Sequence, residues 1–339
     1  MTKLYLMAVF LLISLRAFCQ DVQYSQFYAN PLYLNPAFAG STGLSRVGVN
    51  FRNQWPALDQ SFIAYTAYAD HFSEKYNSGF GIIISGARES FTQSNTNEIG
   101  LLYSYRLQLG EKRFLHAGVQ GSLMSRDVMF DEIVLGTQID IDRGVVTGLP
   151  GEDFLGNSKS TVADLNLGLL YYEDMFWFGV SATHLLKPQI SYLSIDSNRL
   201  AIKYSLHGGV RFNLAPGNIN DYFNNTDQER SIALAFNYKT QGIYDQLDIG
   251  AEFYFEPLVL GFWYRGLPTK YNLPNNESLI SLLGIELKSG LDLGYSYDYS
   301  ISKLGQRASG GAHEVSVRYV FSSKDPRKKY YPELPSFRY

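Results

Sequence analysis

Apolar and polar residues alternate with a period of two along much of this chain. Residues 291–299 read LDLGYSYDY, and the segments around Val47, Ile249 and Val317 alternate in the same way. A period of two predicts strands with one apolar and one polar face. About fourteen such segments are predicted, within a range of about twelve to sixteen: 44–52, 61–71, 78–87, 94–108, 113–126, 161–171, 174–184, 201–214, 230–239, 244–255, 257–266, 277–288, 290–300 and 311–321.

The connections between these segments differ in length on the two sides. Turns after the second, fourth, sixth, tenth and twelfth strands are short, whereas most turns after odd-numbered strands are long, and residues 127–160 form the longest. Outer-membrane barrels have short turns toward the periplasm and long loops outside. Residues 215–229 are an exception, because they are long where a short turn is expected. The alternation of turn lengths predicts an outer-membrane barrel with both chain termini in the periplasm.

The distribution of charge on the strands favours the same fold. One face of the predicted strands carries charges of both signs, and the other carries very few. A soluble β-sandwich is the alternative, but its outer face would be solvated and rich in lysine. In lipid, every backbone amide must be paired, which only a closed sheet achieves among β structures. The predicted fold is therefore an all-β transmembrane antiparallel β-barrel.

Composition narrows the class of protein further. Of the 339 residues, 15% are aromatic and 18% are charged, compared with ~25% charged residues in typical soluble domains. An apolar content of 45% is too high for a disordered chain, and a net charge of −3 excludes a basic nucleic-acid-binding protein. After residue 20 no apolar run is long enough for a membrane helix. Any membrane crossing must therefore use strands.

The start of the chain has the features of a secretory signal peptide. Lys3 precedes an apolar run at residues 4–15, and small residues stand at positions 17 and 19, which predicts cleavage after Cys19. A lipoprotein signal is the alternative, but the bulky Phe18 argues against lipidation. Cys19 is the only cysteine, so the processed chain would contain no thiol or disulfide. We therefore expect export to the cell outer membrane.

No catalytic signature is present in the sequence. It lacks the nucleophile-elbow, zincin and P-loop motifs, and its five histidines fall on separate predicted strands. A lipid hydrolase would need a Ser–His pair oriented by a third side chain, and no spacing in the chain singles one out. We therefore expect a protein that is not an enzyme, with no catalytic residue, cofactor or metal.

Charged residues on the polar strand faces would point into the barrel lumen. They could line a solute channel, or they could pair with one another and fill the interior. The mixture of positive and negative charges favours a largely filled lumen. The candidate lumen network consists of Arg46, Arg52, Glu98, Arg106, Arg211, Glu252, Glu286, Asp292, Asp298 and Arg318.

Residues 23–40 read QYSQFYANPLYLNPAFAG and are too apolar for a free tail. The two Asn-Pro pairs predict extended or turn geometry and exclude a helix across the segment. We expect residues 20–43 to form a plug or brace at the periplasmic mouth of the barrel, and the alternative is a contact surface for another protein. The candidate plug residues are Phe27, Tyr28, Asn30, Pro31, Tyr33, Asn35, Pro36 and Phe38.

This N-terminal run resembles the opening of the PorP/SprF family of Bacteroidetes outer-membrane proteins. The runs VGVNFRNQW at residues 47–55 and HEVSVRYVF at residues 313–321 are also similar to that family, so the resemblance covers the chain end to end. It implies an integral outer-membrane protein of type IX secretion, the system linked to gliding motility. It also implies a role in the export and surface attachment of particular partners, often large adhesins. No catalytic residue carries over from this family.

Two functions remain open at this point. The first is a secretion accessory that binds the C-terminal domain of a secreted surface protein or adhesin, together with other type IX secretion components and outer-membrane lipid. The second is an outer-membrane porin or a channel for hydrophobic solutes. A plugged lumen favours the first and an open lumen the second. The expected regions are the signal peptide at 1–19, the plug segment at 20–43, the barrel at 44–321 and a periplasmic C-terminal tail at 322–339.

Overall fold

The computed structural model describes residues 21–58, 61–90, 93–128, 139–140, 145–146, 159–189, 199–214, 230–267, 278–302 and 305–321. The predicted signal peptide, the predicted C-terminal tail and the exceptional connection at 215–229 lie outside these residues. Among the described residues, no helix is both long enough and apolar enough to cross a membrane.

The described chain forms a closed barrel of antiparallel strands. Each strand pairs with its neighbours in sequence, and the barrel closes where the first strand pairs with the last, with Val49 opposite Val317. The predicted fold class and the count of fourteen barrel strands are confirmed. The strands are β1 (Ser45–Gln54), β2 (Phe62–Ser73), β3 (Ser78–Glu89), β4 (Ser94–Gln108), β5 (Phe114–Val128), β6 (Lys159–Tyr172), β7 (Phe176–Thr183), β8 (Lys203–Asn213), β9 (Arg230–Gln241), β10 (Tyr244–Phe255), β11 (Leu258–Arg265), β12 (Ser278–Glu286), β13 (Leu291–Ser300) and β14 (Ala312–Phe321).

Side chains alternate between the two faces of the barrel wall, because successive residues of a strand point to opposite sides. Along β13, Leu293 and Tyr295 are exposed outward, whereas Asp292 is buried inside. Large apolar side chains cover the outside of the wall, and Leu101 and Phe262 are 68% and 59% exposed. An apolar outer surface of this kind is stable in lipid, and closure leaves no unpaired strand edge. The alternative of a soluble β-sandwich is therefore wrong.

The two ends of the barrel differ in their connections. At one end, here called the turn end, short turns follow β2, β4, β6, β10 and β12, and β14 ends there at Phe321. β1 begins at this end, since Ser45 pairs with both His71 and Phe321. The opposite end, here called the loop end, has the longer connections, although only two residues, 242–243, join β9 to β10.

Residues 21–44, here called the N-terminal segment, precede β1 and lie in the barrel interior. They include a one-turn helix, α1 (Pro31–Leu34), and a 3-10 turn (Pro36–Phe38). The Asn-Pro pairs were expected to exclude a helix across the segment, and the segment contains only these two short turns, with Asn35 in an extended conformation between them. Each proline occupies the first turn of its helix, where its missing N–H has no intrahelical acceptor. Asn35 separates the two turns and accepts a hydrogen bond from Ala37 N at 2.8 Å.

The N-terminal segment runs from the loop end to the turn end. Asp21 contacts Lys203 and Gln241, which bound strands at the loop end, whereas Gly40 contacts Asp70 near the turn end. The segment therefore occupies the length of the lumen, where one mouth was expected. Its first residue lies at the opposite end from Phe321, so the expectation of both termini on one side is wrong for the described residues. Because the number of strands is even, β14 ends at the same end of the barrel where β1 begins. The N-terminal segment crosses the lumen once more before β1, which puts Asp21 at the opposite end.

Candidate functional site

The side chains of the N-terminal segment are buried in the lumen. Leu32 and Ala37 have no exposed surface, and they form one apolar cluster with lumen-facing residues of the wall. A free tail would leave these side chains in water, so the segment is an integral part of the barrel interior. Of the predicted plug residues, Tyr33 is partly buried and the other seven are buried: Phe27, Tyr28, Asn30, Pro31, Asn35, Pro36 and Phe38.

Charged groups hold Asp21 at the loop end. Its carboxylate lies 2.5 Å from Lys203 Nζ and 2.8 Å from Nε2 of His184, the residue after β7. The other ring nitrogen of His184 lies 2.5 Å from Asp164 Oδ2. Burial alone would lower the pKa of His184, but the charge of Asp21 and the hydrogen bonds that the ring makes to Asp164 and Asp21 raise it to about 9. The ring is therefore protonated at neutral pH and donates to both carboxylates.

Ser25 is anchored by a buried group of charged side chains. Its backbone N–H donates to Glu314 Oε2 at 2.6 Å, and its hydroxyl donates to Asp298 Oδ2 at 2.6 Å. Arg52 lies 2.7 Å from Asp298 and 3.2 Å from Glu314, and Arg265 lies 3.1 Å from Asp298. Buried charges are stable only when they are paired and hydrogen-bonded. The group therefore ties the segment to β1, β11, β13 and β14 at once.

Gln26 is fully buried and hydrogen-bonded through both ends of its amide. Its Nε2 donates to Ser296 Oγ at 3.1 Å and to the Glu314 carbonyl at 3.0 Å, while its Oε1 accepts from Ser316 Oγ at 2.6 Å. A buried amide is costly unless its donors and acceptor are satisfied. Because the wall residues match this amide, they fix the register of the segment against β13 and β14.

Aromatic contacts join the segment to the barrel wall inside the lumen. The ring of Phe27 meets Trp263 edge-on at 5.1 Å between centroids, and Tyr28 stacks on Trp263 at 5.6 Å. Farther along the segment, Phe38 lies 5.8 Å from Trp177. Each such aromatic pair contributes about 0.5–1.5 kcal/mol beyond the burial of its area. The inward tryptophans of β7 and β11 are thus the main apolar partners of the predicted plug aromatics.

Glycines in the barrel wall make room for the backbone of the segment. A Cβ atom at Gly79 would collide with the carbonyl of Ala39, and one at Gly118 would collide with the backbone nitrogen of Ala37. Glycine in a strand interior often marks such a close approach of another chain segment. The wall at β3 and β5 therefore fits the backbone of the segment as well as its side chains.

Asn35 binds the wall through its side-chain amide. Its Nδ2 donates to the carbonyls of Leu169 at 3.0 Å and Val180 at 3.1 Å, which stand opposite each other on β6 and β7. The absence of a side chain at Gly168 leaves the space that the amide occupies. Asn35 therefore both caps the 3-10 turn and fastens it to two strands.

The turn end of the segment has its own anchor. Arg46 Nε lies 2.9 Å from Asp70 Oδ1, and Asp70 Oδ2 accepts a hydrogen bond from Gly40 N at 2.7 Å. The hydroxyl of Ser104 donates to the Ala39 carbonyl at 2.6 Å. Together with the groups at Asp21 and Ser25, these contacts hold the segment along its whole length.

The predicted lumen residues all face the interior, but the described ones divide into separate groups. Arg52 pairs with Asp298, Arg318 lies 2.7 Å from Asp292, and Arg46 pairs with Asp70, which was outside the predicted set. Two arginines lie over aromatic rings, Arg106 over Phe72 and Arg211 over Tyr254. Three of the ten are partly buried: Glu98, Arg211 and Glu286. The other seven are buried: Arg46, Arg52, Arg106, Glu252, Asp292, Asp298 and Arg318.

Sequence reasoning missed the loop-end anchor and the inward tryptophans. Lys203 stands on the polar side of its strand, so alternation carried a signal for it. Asp21 lies outside the predicted strands, where alternation gives no information. His184 ends the predicted strand 174–184 on the face of Phe178 and Val180, but β7 ends at Thr183 and His184 is buried. The parity of β7 and β11 places Trp177 and Trp263 inward. Strand parity therefore indicated the inward position of both tryptophans, but the prediction assigned only polar residues to the lumen face.

A cavity of ≈ 130 Å³ lies at the loop end, between the N-terminal segment and strands β2 to β8. Part of its lining is apolar, and Asp21, Val22, Tyr24 and Tyr33 form its wall on the side of the segment. Within the described ranges, no group of His, Cys, Asp and Glu side chains has the arrangement of a metal site. The wall residues include Phe62, Ile83, Met124, Thr183, His184 and Leu200.

Comparison with known proteins identifies one family. The sequence model for "Type IX secretion system membrane protein PorP/SprF" matches residues 17–319. A search of curated proteins finds no match. Among solved structures, a mutant of the Rh. blastica porin has a TM-score of 0.34 at 8% identity, over 82% of this chain and 99% of the porin. A triple mutant of the Rhodopseudomonas blastica porin has a TM-score of 0.33 at 8% identity with the same coverage.

Proposed function

Because this chain belongs to the PorP/SprF family of type IX secretion system membrane proteins, we propose that it is a non-enzymatic outer-membrane accessory of secretion. It binds the C-terminal domain of a cognate exported protein and supports its secretion or its attachment to the cell surface. Other type IX secretion components are its further partners.

The filled lumen is the observation that carries this proposal. Burial of Phe27, Leu32 and Phe38 in the lumen contributes about 1.5–3 kcal/mol for each side chain, and three polar anchors hold the same segment. A porin needs a continuous aqueous path through the barrel. The packed segment occupies that path, which favours a binding role over the porin and the solute channel.

The loop end is the face on which we place the partner. The connection of residues 129–158 follows β5 there, and the apolar-lined cavity lies at the same end. In outer-membrane barrels the long loops face outside, where an exported domain arrives. The turn end offers mostly short connections, so it has less surface with which to hold a large domain.

Co-purification from the native membrane tests the proposal. We expect a tagged full-length barrel to recover an exported protein through its C-terminal domain. Two matched variants locate the contact: one replaces residues 129–158 at the loop end with a short Gly-Ser turn, and the other replaces residues 215–229 at the turn end in the same way. The first replacement should abolish recovery of the partner and the second should preserve it.

The controls are the amount of folded barrel and its presence in the outer membrane, which must match for the two variants. Recovery lost only from the turn-end variant would move the binding face to the other side. Absence of any exported protein from the full-length sample would argue against a secretion accessory.

A further inference from the structure

The N-terminal segment runs from the loop end to the turn end, so its first residue, Asp21, lies at the loop end. Asp21 is held at the loop end through Gln241, whose Oε1 accepts a hydrogen bond from Asp21 N at 3.1 Å, and through Lys203. Gln241 is the last residue of β9 and Lys203 the first of β8, so both mark the loop end. Asp21, the first described residue, therefore lies at the loop end and not at the turn end, where β1 begins.

We propose that the amino terminus formed by removal of the signal peptide is displayed on the outer face of the membrane. This inference rests on the outer-membrane placement proposed above, in which short turns face the periplasm and the loop end faces outside. The N-terminal segment then crosses the membrane inside the lumen, as one more pass than the strands provide. Asp21, Val22 and Tyr24 line the cavity at that end.

Removal of the signal peptide must come before the segment takes its place in the lumen. A signal peptidase hydrolyses the peptide bond after Cys19, so that water adds across it and leaves a carboxylate on the signal and an α-amine on the next residue. Without this step, the apolar run at residues 4–15, which precedes Asp21 in the chain, would have to pass through the lumen to the aqueous outer face. At Gly79 and Gly118 the wall lies so close to the segment that a single added Cβ would collide with it, which leaves no space there for a second chain segment.

Cysteine labelling on intact cells tests the direction of the segment, because the only cysteine lies in the predicted signal peptide. The test variant is Val22→Cys, whose side chain is half-buried beside the cavity. Lys187→Cys marks the exposed loop end, and Lys288→Cys marks the turn end, where the lysine side chain is 87% exposed. A membrane-impermeant maleimide is applied before and after permeabilisation of the outer membrane.

We expect Val22→Cys and Lys187→Cys to be labelled on intact cells, and Lys288→Cys only after permeabilisation. Labelling of Lys187→Cys on intact cells, with Val22→Cys labelled only after permeabilisation, would overturn the proposal while leaving the barrel orientation intact. Labelling of Lys288→Cys alone would show an inverted barrel, and labelling of none would show a barrel that does not reach the surface. Either result would overturn the proposal, the first together with the orientation of the barrel and the second together with its outer-membrane placement.

A second variant covers the case in which the half-buried position 22 reacts slowly. An eight-residue epitope inserted between residues 20 and 21 should be detected by antibody on intact cells. Detection only after permeabilisation, with the Lys187→Cys control still labelled, would overturn the proposal. A further variant with a blocked signal-peptidase site should accumulate barrel that lacks the heat-resistant folded form, whereas normal folding of the uncleaved chain would refute the proposed order of events.

Discussion

At the residue scale, His184 makes the loop-end anchor sensitive to pH. Its pKa is raised from 6.5 to about 9 by Asp21 and Asp164, against the effect of burial. A group whose pKa is higher in the folded state stabilises that state fully below its unfolded pKa, and this contribution is lost as the pH rises through the folded pKa. At ~1.4 kcal/mol per pKa unit, the contribution is ~3 kcal/mol. We therefore expect the unfolding temperature to fall between about pH 6.5 and 9.

Heat-induced unfolding in detergent, followed across that pH range, measures the effect. His184→Gln should be less stable at pH 6.5 and should lose most of the pH dependence. His71→Gln, at an exposed position on the outside of β2, should keep the dependence of the unsubstituted protein. Equal slopes for His184→Gln and the unsubstituted protein would contradict a charged His184 anchor.

Two glycines of β5 give a matched test of the close approach between wall and segment. A Cβ at Gly118 would collide with the backbone of Ala37, whereas a Cβ at Gly121 would meet nothing within 4 Å. Overpacking of this kind costs about 1–3 kcal/mol. Gly118→Ala should therefore lower the free energy of unfolding by about this amount, and Gly121→Ala should leave it nearly unchanged. Equal losses would mean that the effect comes from the strand and not from the segment.

Some of these residues could be predicted from the sequence and others could not. Alternation places Asp298 and Arg52 inside the barrel, because parity is a local property of each strand. Alternation cannot show that Ser25 lies between them, since that contact depends on the path of a segment without a period. The same limit explains why Asp21 was missed, whereas His184 was missed because β7 ends one residue before it.

At the scale of the strand, depth in the membrane decides the cost of a charge on the outer face. Ile249 lies in the middle of β10 and Leu258 at the turn end of β11, and they are 51% and 46% exposed on the outside. An arginine costs ~2–4 kcal/mol at the bilayer midplane and ~0–1 kcal/mol near the interface. Folding into lipid vesicles, titrated with denaturant, should show a large loss of stability for Ile249→Arg and a small one for Leu258→Arg. Equal losses would contradict the placement of β10 in the bilayer.

Ser296 illustrates where strand parity alone is insufficient. Parity correctly places it in the lumen, where the sequence suggests that an arginine would be milder than on the lipid face. The structure shows that Ser296 has no exposed surface and accepts a hydrogen bond from Gln26. An arginine there would displace the N-terminal segment, so we expect Ser296→Arg to be strongly destabilising. The tolerance of a lumen position depends on what fills the lumen, which a single strand cannot indicate.

At the scale of the whole molecule, the barrel was predictable and the course of the N-terminal segment was only partly so. Fourteen alternating segments with unequal turns define a closed barrel, because each strand carries its own signal. Apolar residues such as Phe27 and Phe38 showed that the segment must dock. Its full crossing of the lumen depends on partners distant in sequence, among them Lys203 and Asp70, which no local pattern connects to it.

Planar-bilayer conductance tests most directly whether the N-terminal segment closes the lumen. The full-length processed chain is compared with a chain lacking residues 21–39, after a heat-modifiable shift in gel mobility has shown that both are folded. We predict no stable conductance steps from the full-length barrel and regular steps from the deletion, because removal of the segment also removes the side chains of Phe27, Leu32 and Phe38 that are buried in the lumen. Regular steps of equal size from both barrels would contradict a closed lumen.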